Sequence, residues 1–166
     1  MLKRRSFLLG LLAAQIPFLN ADELQEPMWT WGTGQYRHFG FLVYEATLEA
    51  GADPQNPPLK LRLDYKRALA GKNIAKASVK EMRRVVDDES LLTEWGTQME
   101  RIFPDVESGD HIIGHYNTDG AVFSQDNRML GQIRDPEFAR AFFAIWLGPQ
   151  TSAPKLRAAL LNGKTA

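Results

Sequence analysis

The stretch Pro136 to Leu147 constrains the fold most. It reads Pro-Glu-Phe-Ala-Arg-Ala-Phe-Phe-Ala-Ile-Trp-Leu, which is apolar on nearly every side of a helix. A helix of that kind must be buried almost all round, so the chain has to supply layers that cover it. Asp135-Pro136 marks its start, an acceptor followed by a proline whose missing N–H costs nothing in the first turn. Gly148-Pro149 ends it. The covering layers are visible on either side. Leu59, Leu61, Leu63 and Tyr65 alternate with Lys60, Arg62 and Asp64, a strand with one buried and one wet face. His111–Tyr116, Ala121–Ser124 and Arg128–Ile133 are three strand-like runs separated by Asn117-Thr118-Asp119-Gly120 and Gln125-Asp126-Asn127.

The remaining segments fill in the order. Arg37 to Glu49 reads as one long strand with apolar residues on both faces, and a short strand is expected near Trp29. Asp53 to Pro58 carries three prolines and is a loop. Ile74, Ala77, Ser78, Met82 and Val85 fall at helical spacing. So do Leu91, Leu92, Trp95, Met99, Ile102 and Phe103, with Pro104 as the stop. Asp87-Asp88-Glu89 with Ser90 sits where that second helix begins and suits a cap better than a metal site. Ser152 is expected to cap a last short helix running to Leu161. The order β-β-β-α-α-β-β-β-α-α, with strands in two groups, predicts an α+β fold: helices on one face of a mostly antiparallel sheet.

Residues 1–21 are a different kind of sequence. Lys3, Arg4 and Arg5 precede an apolar run from Phe7 to Leu19, too short for the ~20 residues that span a bilayer. This is a signal-peptide pattern. Arg4-Arg5-Ser6-Phe7-Leu8 further matches the twin-arginine type, read by export machinery. A general secretory signal with two arginines and an uncleaved anchor are the alternatives. The expected organisation is a signal peptide at 1–21, a single domain at 22–166 and a periplasmic location, with no stable membrane span once the signal is gone. Over the whole chain 20 basic residues balance 20 acidic ones. The leader takes three of the basic residues and none of the acidic, so the domain retains 17 against 20 and carries a net charge of −3. No dense basic tract is left to engage nucleic acid. Cysteine is absent, which excludes disulfides, thiolate metal sites and thiol nucleophiles.

Chemistry-bearing motifs are few. His111 and His115 share a strand face about 13 Å apart, at ~3.3 Å per residue, too far for one metal ion. No metal and no cofactor are expected. Gly32-Thr33-Gly34 lacks the third glycine and the following helix of a dinucleotide loop. No G-x-S-x-G elbow occurs.

Three motifs in the C-terminal half carry a family resemblance. Val106-Glu107-Ser108-Gly109-Asp110 precedes a strand, Gly131-Gln132-Ile133 precedes a helix, and that helix reads F-A-x-A-F-F-x-I-W-L-G through Gly148. Pro154-Lys155-Leu156-Arg157 and Leu160-Leu161 continue the match. Gly32-Thr33-Gly34-Gln35-Tyr36-Arg37 and Val43-Tyr44-Glu45-Ala46-Thr47-Leu48 extend it more loosely towards the N-terminus. The chain resembles the chalcone isomerase-like superfamily, nearest its bacterial exported branch. That resemblance implies an open-faced β-sandwich, a long antiparallel sheet with helices on one face and a ligand cleft between them. Plant members cyclise chalcones by intramolecular addition of a phenolate; another branch binds fatty acids without catalysis. Both hold an anionic oxygen with an arginine, which carries over to Arg37 here. A guanidinium suits that role through its planar fork of donors. Tyr65, on the apolar face of the strand after the loop, and Tyr44 are the tyrosines carried over as ligand-binding partners; Tyr44 lies on the Arg37 strand but seven residues away, on the opposite face. The threonine-bearing strand motif and the Q-Y-S motif of the plant enzymes are missing. The resemblance therefore implies a binding protein for a small amphipathic carboxylate or lipid in preference to an intramolecular lyase. A structural or partner-binding domain whose cleft is filled by its own side chains is the third possibility.

Overall fold

The structure is a computed structural model that describes residues 27–163. The signal-peptide reading, with Arg4 and Arg5, lies outside the described residues. The chain forms β1 (Trp29–His38), β2 (Phe41–Ala50), β3 (Leu59–Tyr65), α1 (Gly71–Met82), α2 (Glu89–Ile102), β4 (His111–Asn117), β5 (Gly120–Gln125), β6 (Arg128–Ile133), α3 (Pro136–Leu147) and α4 (Pro154–Leu160). The six strands make one sheet in sequence order, antiparallel throughout. The two three-stranded meanders join at the β3–β4 pair, where α1 and α2 form the connection. The expected α+β architecture is present. Among the described residues no helix is long and apolar enough to cross a membrane.

Strand alternation separates the two sheet faces. On β3, Leu59, Leu61, Leu63 and Tyr65 are buried while Lys60, Arg62 and Asp64 face outward. The neighbouring strands continue the pattern with Ala46 and Leu48 of β2, Ile112 of β4 and Phe123 of β5. α3 covers this inner face and buries Phe138, Ala139, Ala141, Phe142, Phe143, Trp146 and Leu147. Each large apolar side chain so buried contributes on the order of 1.5–3 kcal/mol. Asp135 caps α3, accepting hydrogen bonds from the backbone N–H groups of Glu137 and Phe138. Asp88 caps α2 in the same way through Leu91 N–H, as the acidic cluster suggested.

Three local expectations are corrected. The run Arg37 to Glu49 is not one strand. It breaks at Phe39-Gly40, a two-residue hairpin turn with φ +47° and +82°, the left-handed pair that suits the twist of flanking strands. The short strand near Trp29 is instead the ten-residue β1. Ser152 does not cap α4; Ala153 stands at that position, and Thr151 Oγ accepts from Ala153 N–H while donating to the Ile145 carbonyl. Pro154 at the first turn then removes one N–H that would need a partner. The Gly32-x-Gly34 pair has a packing role. A Cβ on Gly32 would lie 2.1 Å from the Ala159 carbonyl oxygen, so the glycine lets α4 rest directly on β1.

Candidate functional site

Sheet and helices do not close completely on each other. Between them lies a cavity of about 290 Å³. Its floor is Leu61 and Leu63 of β3, Ile112 and Gly114 of β4 and Phe123 of β5. Its roof is Phe142, Phe143 and Trp146 of α3, and its side wall is Ile74, Ala77 and Ser78 of α1. The mouth opens between α1, the β1–β2 hairpin and the α3–α4 connection, where Asn73, Glu81, Tyr36, His38 and Ser152 stand. At about 30 Å³ for a group the size of water, the space holds on the order of ten non-hydrogen atoms.

Two features keep the space open. Gly114 presents no side chain from the floor. The roof aromatics are held by one another: Phe143 stacks on Tyr116 at 4.8 Å, and Phe142 meets Phe123 and Trp146 edge-on at 5.2 and 5.3 Å. These rings sit against each other and the sheet, and they leave the cavity unfilled.

The polar end of the cavity is a row of tyrosines. Tyr36, Tyr44 and Tyr65 are direct cross-strand partners on β1, β2 and β3. Tyr36 stacks on Tyr44 at 4.9 Å, and Tyr44 meets Tyr65 edge-on at 6.0 Å. Trp146 Nε1–H donates to the Tyr44 hydroxyl at 3.0 Å. Burial pushes the Tyr44 and Tyr65 hydroxyls well above the ordinary phenol range; for Tyr44 the Trp146 hydrogen bond opposes this only in part. Tyr36, nearer the mouth, is raised by burial and by the neighbouring Glu81 carboxylate. All three therefore stay neutral O–H groups at physiological pH. Among the described residues no arginine or lysine lines the cavity, and a carboxylate at its mouth is Glu81. The arrangement can enclose an apolar chain and offer it neutral hydrogen-bonding groups at one end.

The carried-over residues divide. Tyr44 and Tyr65 both line the cavity. Arg37 does not. Its side chain is exposed, with Nη1–H and Nη2–H donating to the Gly40 carbonyl and to Gln35 Oε1, each at 3.2 Å. The reason is strand parity. Tyr36 takes the inward position, so Arg37 must point to the other face. Nor does Arg37 share a strand with Tyr44, because the chain reverses at Phe39-Gly40. A bulge between Tyr36 and Arg37 then pairs Tyr36 with Tyr44 but Arg37 with Leu42.

The reading from sequence did not single out Tyr36, His38 or Trp146. Even with the turn located, regular pairing would have set Tyr36 opposite Val43; the bulge that sets it opposite Tyr44 leaves no local signal. His111 and His115 lie on the outer sheet face, away from the cavity. His111 Nε2 accepts from Asp126 N–H at 3.2 Å, and His115 Nε2 is 2.9 Å from Ser124 Oγ. Among the described residues no group of three His, Cys, Asp or Glu could hold a metal ion.

Comparison with known proteins agrees with the architecture. The crystal structure of an Arabidopsis thaliana fatty-acid binding protein superposes with a TM-score of 0.57 at 10% identity, over 81% of this chain and 84% of that one. At that identity the likeness is one of fold. An uncharacterized protein of Haemophilus influenzae is 30% identical over 152 residues, which is 90% of this chain and 71% of the relative. The family model described as chalcone isomerase-like matches residues 38–162. That match takes in β2 through α4, and with them five of the six strands, the roof helix and most of the cavity wall, while β1 apart from His38 lies outside it. The chain belongs to the chalcone isomerase-like family.

Proposed function

We propose that this is an exported, periplasmic protein that binds a small amphipathic lipid, such as a medium-chain fatty acid, without transforming it. The observation that carries the reading is the cavity itself: apolar on floor, roof and side apart from the Ser78 hydroxyl, which donates to the Ile74 carbonyl, with its other polar groups in the tyrosine row and at the mouth. The fatty-acid binding protein of the same fold supports it. The chain of the lipid occupies the space under α3, and its head meets the Tyr36–Tyr44–Tyr65 row near water. With Arg37 on the outer face, recognition falls on the tail more than on a charged head. Glu81 at the mouth further favours heads without a full negative charge. The raised tyrosine hydroxyls leave no phenolate to act as a base, so chalcone turnover stays at its spontaneous rate on this reading.

Calorimetric titration of delipidated protein with decanoate and with decanol tests this. Both bind the wild type, decanol at least as tightly. Ala77→Trp, which places an indole in the mouth from an exposed helix position, abolishes binding; Arg37→Ala leaves it unchanged. Absence of binding by either ligand overturns the lipid reading. A large loss in Arg37→Ala returns the head group to the arginine. For export, Arg4→Lys with Arg5→Lys holds the protein in the cytoplasm by fractionation; unchanged export overturns the twin-arginine assignment.

A further inference from the structure

The turn between β1 and β2 is built from the wrong residue for a turn. Phe39 sits at φ +47°. That is a conformation in which asparagine or glycine is at ease and a bulky side chain is a genuine outlier. The strain brings little packing in return: Phe39 is 88% exposed, and its ring meets the adjacent, exposed His38 edge-on at 4.2 Å. Phe41, two residues on, is 61% exposed. An aromatic that serves neither the turn nor the core, held in a strained backbone, points to a use outside the fold.

The surroundings say what kind of partner would cover it. Arg37 and His38 precede Phe39, and the Arg67 guanidinium lies 4.8 Å over the Phe41 ring. Lys66 is held beside β2 by its backbone N–H, which donates to the Val43 carbonyl at 2.8 Å. No acidic residue occurs in 37–42 or 66–70. Carboxylates near the tip are Glu45, Asp64 and Glu81, and the segment 106–110 paired to 65–69 adds Glu107 and Asp110, whose Oδ2 accepts from Glu107 N–H. Asp64 is taken by Arg62 through a two-pronged bond, and Glu81 is engaged by Arg84. Exposed aromatics ringed by cations fit an interface that is apolar just beneath a layer of negative charge. The same strand end carries Tyr36 and His38 into the cavity mouth.

We propose that the β1–β2 hairpin tip docks on an anionic phospholipid surface, with Phe39 and Phe41 inserted and Arg37, Lys66 and Arg67 at the headgroups, which brings the cavity mouth to the membrane. The domain's net negative charge does not oppose this, since screening limits the interaction to charges within about 10 Å of the surface at 0.1 M salt. The inference stands apart from the cavity's ligand: the tip can dock whether or not the cavity holds a lipid.

The absence of cysteine allows a local reporter. In the full chain, Ala68→Cys beside Arg67 and Met129→Cys on β6 are each labelled with a polarity-sensitive dye. They are mixed with phosphatidylglycerol or phosphatidylcholine vesicles. The expected result is a blue shift at position 68 and none at 129, on phosphatidylglycerol only, weakened at 0.5 M salt. Phe39→Asn with Phe41→Thr, residues suited to the turn and the strand, raises the lipid concentration required by roughly ten-fold or more. No shift at 68, an equal shift at both positions, or indifference to the double substitution overturns the proposal. So does a concentration-dependent dimer without vesicles that the double substitution disperses, which would make the tip an interface between two copies of the chain.

Discussion

Removing the Asp135 carboxylate should cost more stability than a helix cap alone. One of its oxygens caps α3 through Glu137 and Phe138 N–H at 2.9 and 3.2 Å. The other accepts from Trp95 Nε1 at 2.9 Å, and Trp95, on α2, is 1% exposed. Losing a cap costs about 1 kcal/mol. Leaving a buried N–H without an acceptor costs a further ~1–3 kcal/mol. Asp135→Ala should therefore lose about 2–4 kcal/mol. For a domain of this size that is on the order of 10 °C in Tm. A double-mutant cycle with Trp95→Phe separates the two parts. In the Trp95→Phe background the N–H is already gone, so Asp135→Ala should cost only the cap, about 1 kcal/mol. Asp135→Asn is a sharper probe: its oxygen can still cap while its amide opposes the indole N–H. Urea unfolding of the four proteins of the cycle gives the coupling. Equal costs of Asp135→Ala in both backgrounds would refute the claim that one carboxylate joins α2 to α3.

The other expectations concern single positions. Phe39→Asn relieves the left-handed strain and should stabilise the fold by about 1 kcal/mol in urea unfolding; destabilisation would mean the ring makes an intramolecular contact of value. Gly32→Val drives a side chain into the Ala159 carbonyl and should cost at least ~1–3 kcal/mol, with protease sensitivity rising first in α4. His115 has its pKa lowered from 6.5, chiefly by burial and then by Lys60. The unfolded chain therefore takes up its proton first. Stability should be full above pH 6.5 and fall as the pH drops below it. Urea midpoints at pH 7.5 and 5.5 check this, and His115→Gln should flatten that part of the profile.

Most of the architecture was legible because two periodicities announce it. β3 alternates cleanly from Leu59 to Tyr65, and the apolar surround of Phe138 to Trp146 admits no position but the interior. The β1–β2 turn was missed for a specific reason. Phe39-Gly40 lacks the asparagine or aspartate that signals a two-residue turn, and Phe39 continues a run of strand-forming residues. Reading through the turn put Arg37 and Tyr44 on one strand, yet seven residues apart they still fell on opposite faces, as they do in the structure. The cavity role of Arg37 came from the family resemblance and not from the residue pattern. Tyr44 and Tyr65 reached the cavity because each sits on an alternating apolar face. That they meet Tyr36 depends on the bulge at Val43, which no local pattern reveals. The cavity was least legible. Its volume is the small remainder between the sheet surface and the ring stack around Phe142 and Phe143, and that remainder depends on ring orientations.

The bulge at Val43 links the two surfaces on which function is proposed. It lets Tyr36 pair with Tyr44 while Arg37 pairs with Leu42. Neutral hydroxyls therefore gather inside, and a cation is left outside beside an exposed Phe39. A buried guanidinium among Leu61, Leu63 and Phe142 would have needed a carboxylate or a ligand anion to offset its desolvation. On the outer face it keeps its water and costs little. The separation fits a protein that meets negative charge at the membrane surface and accepts the apolar part of a lipid through the adjoining mouth. Exchanging the two residues, Tyr36→Arg with Arg37→Tyr, is the direct perturbation of this arrangement, because it puts the cation inside and the hydroxyl outside while keeping the strand pairing. Loss of decanol binding together with loss of the vesicle response would show that both depend on which face each side chain takes. Loss of neither would detach the arrangement from both.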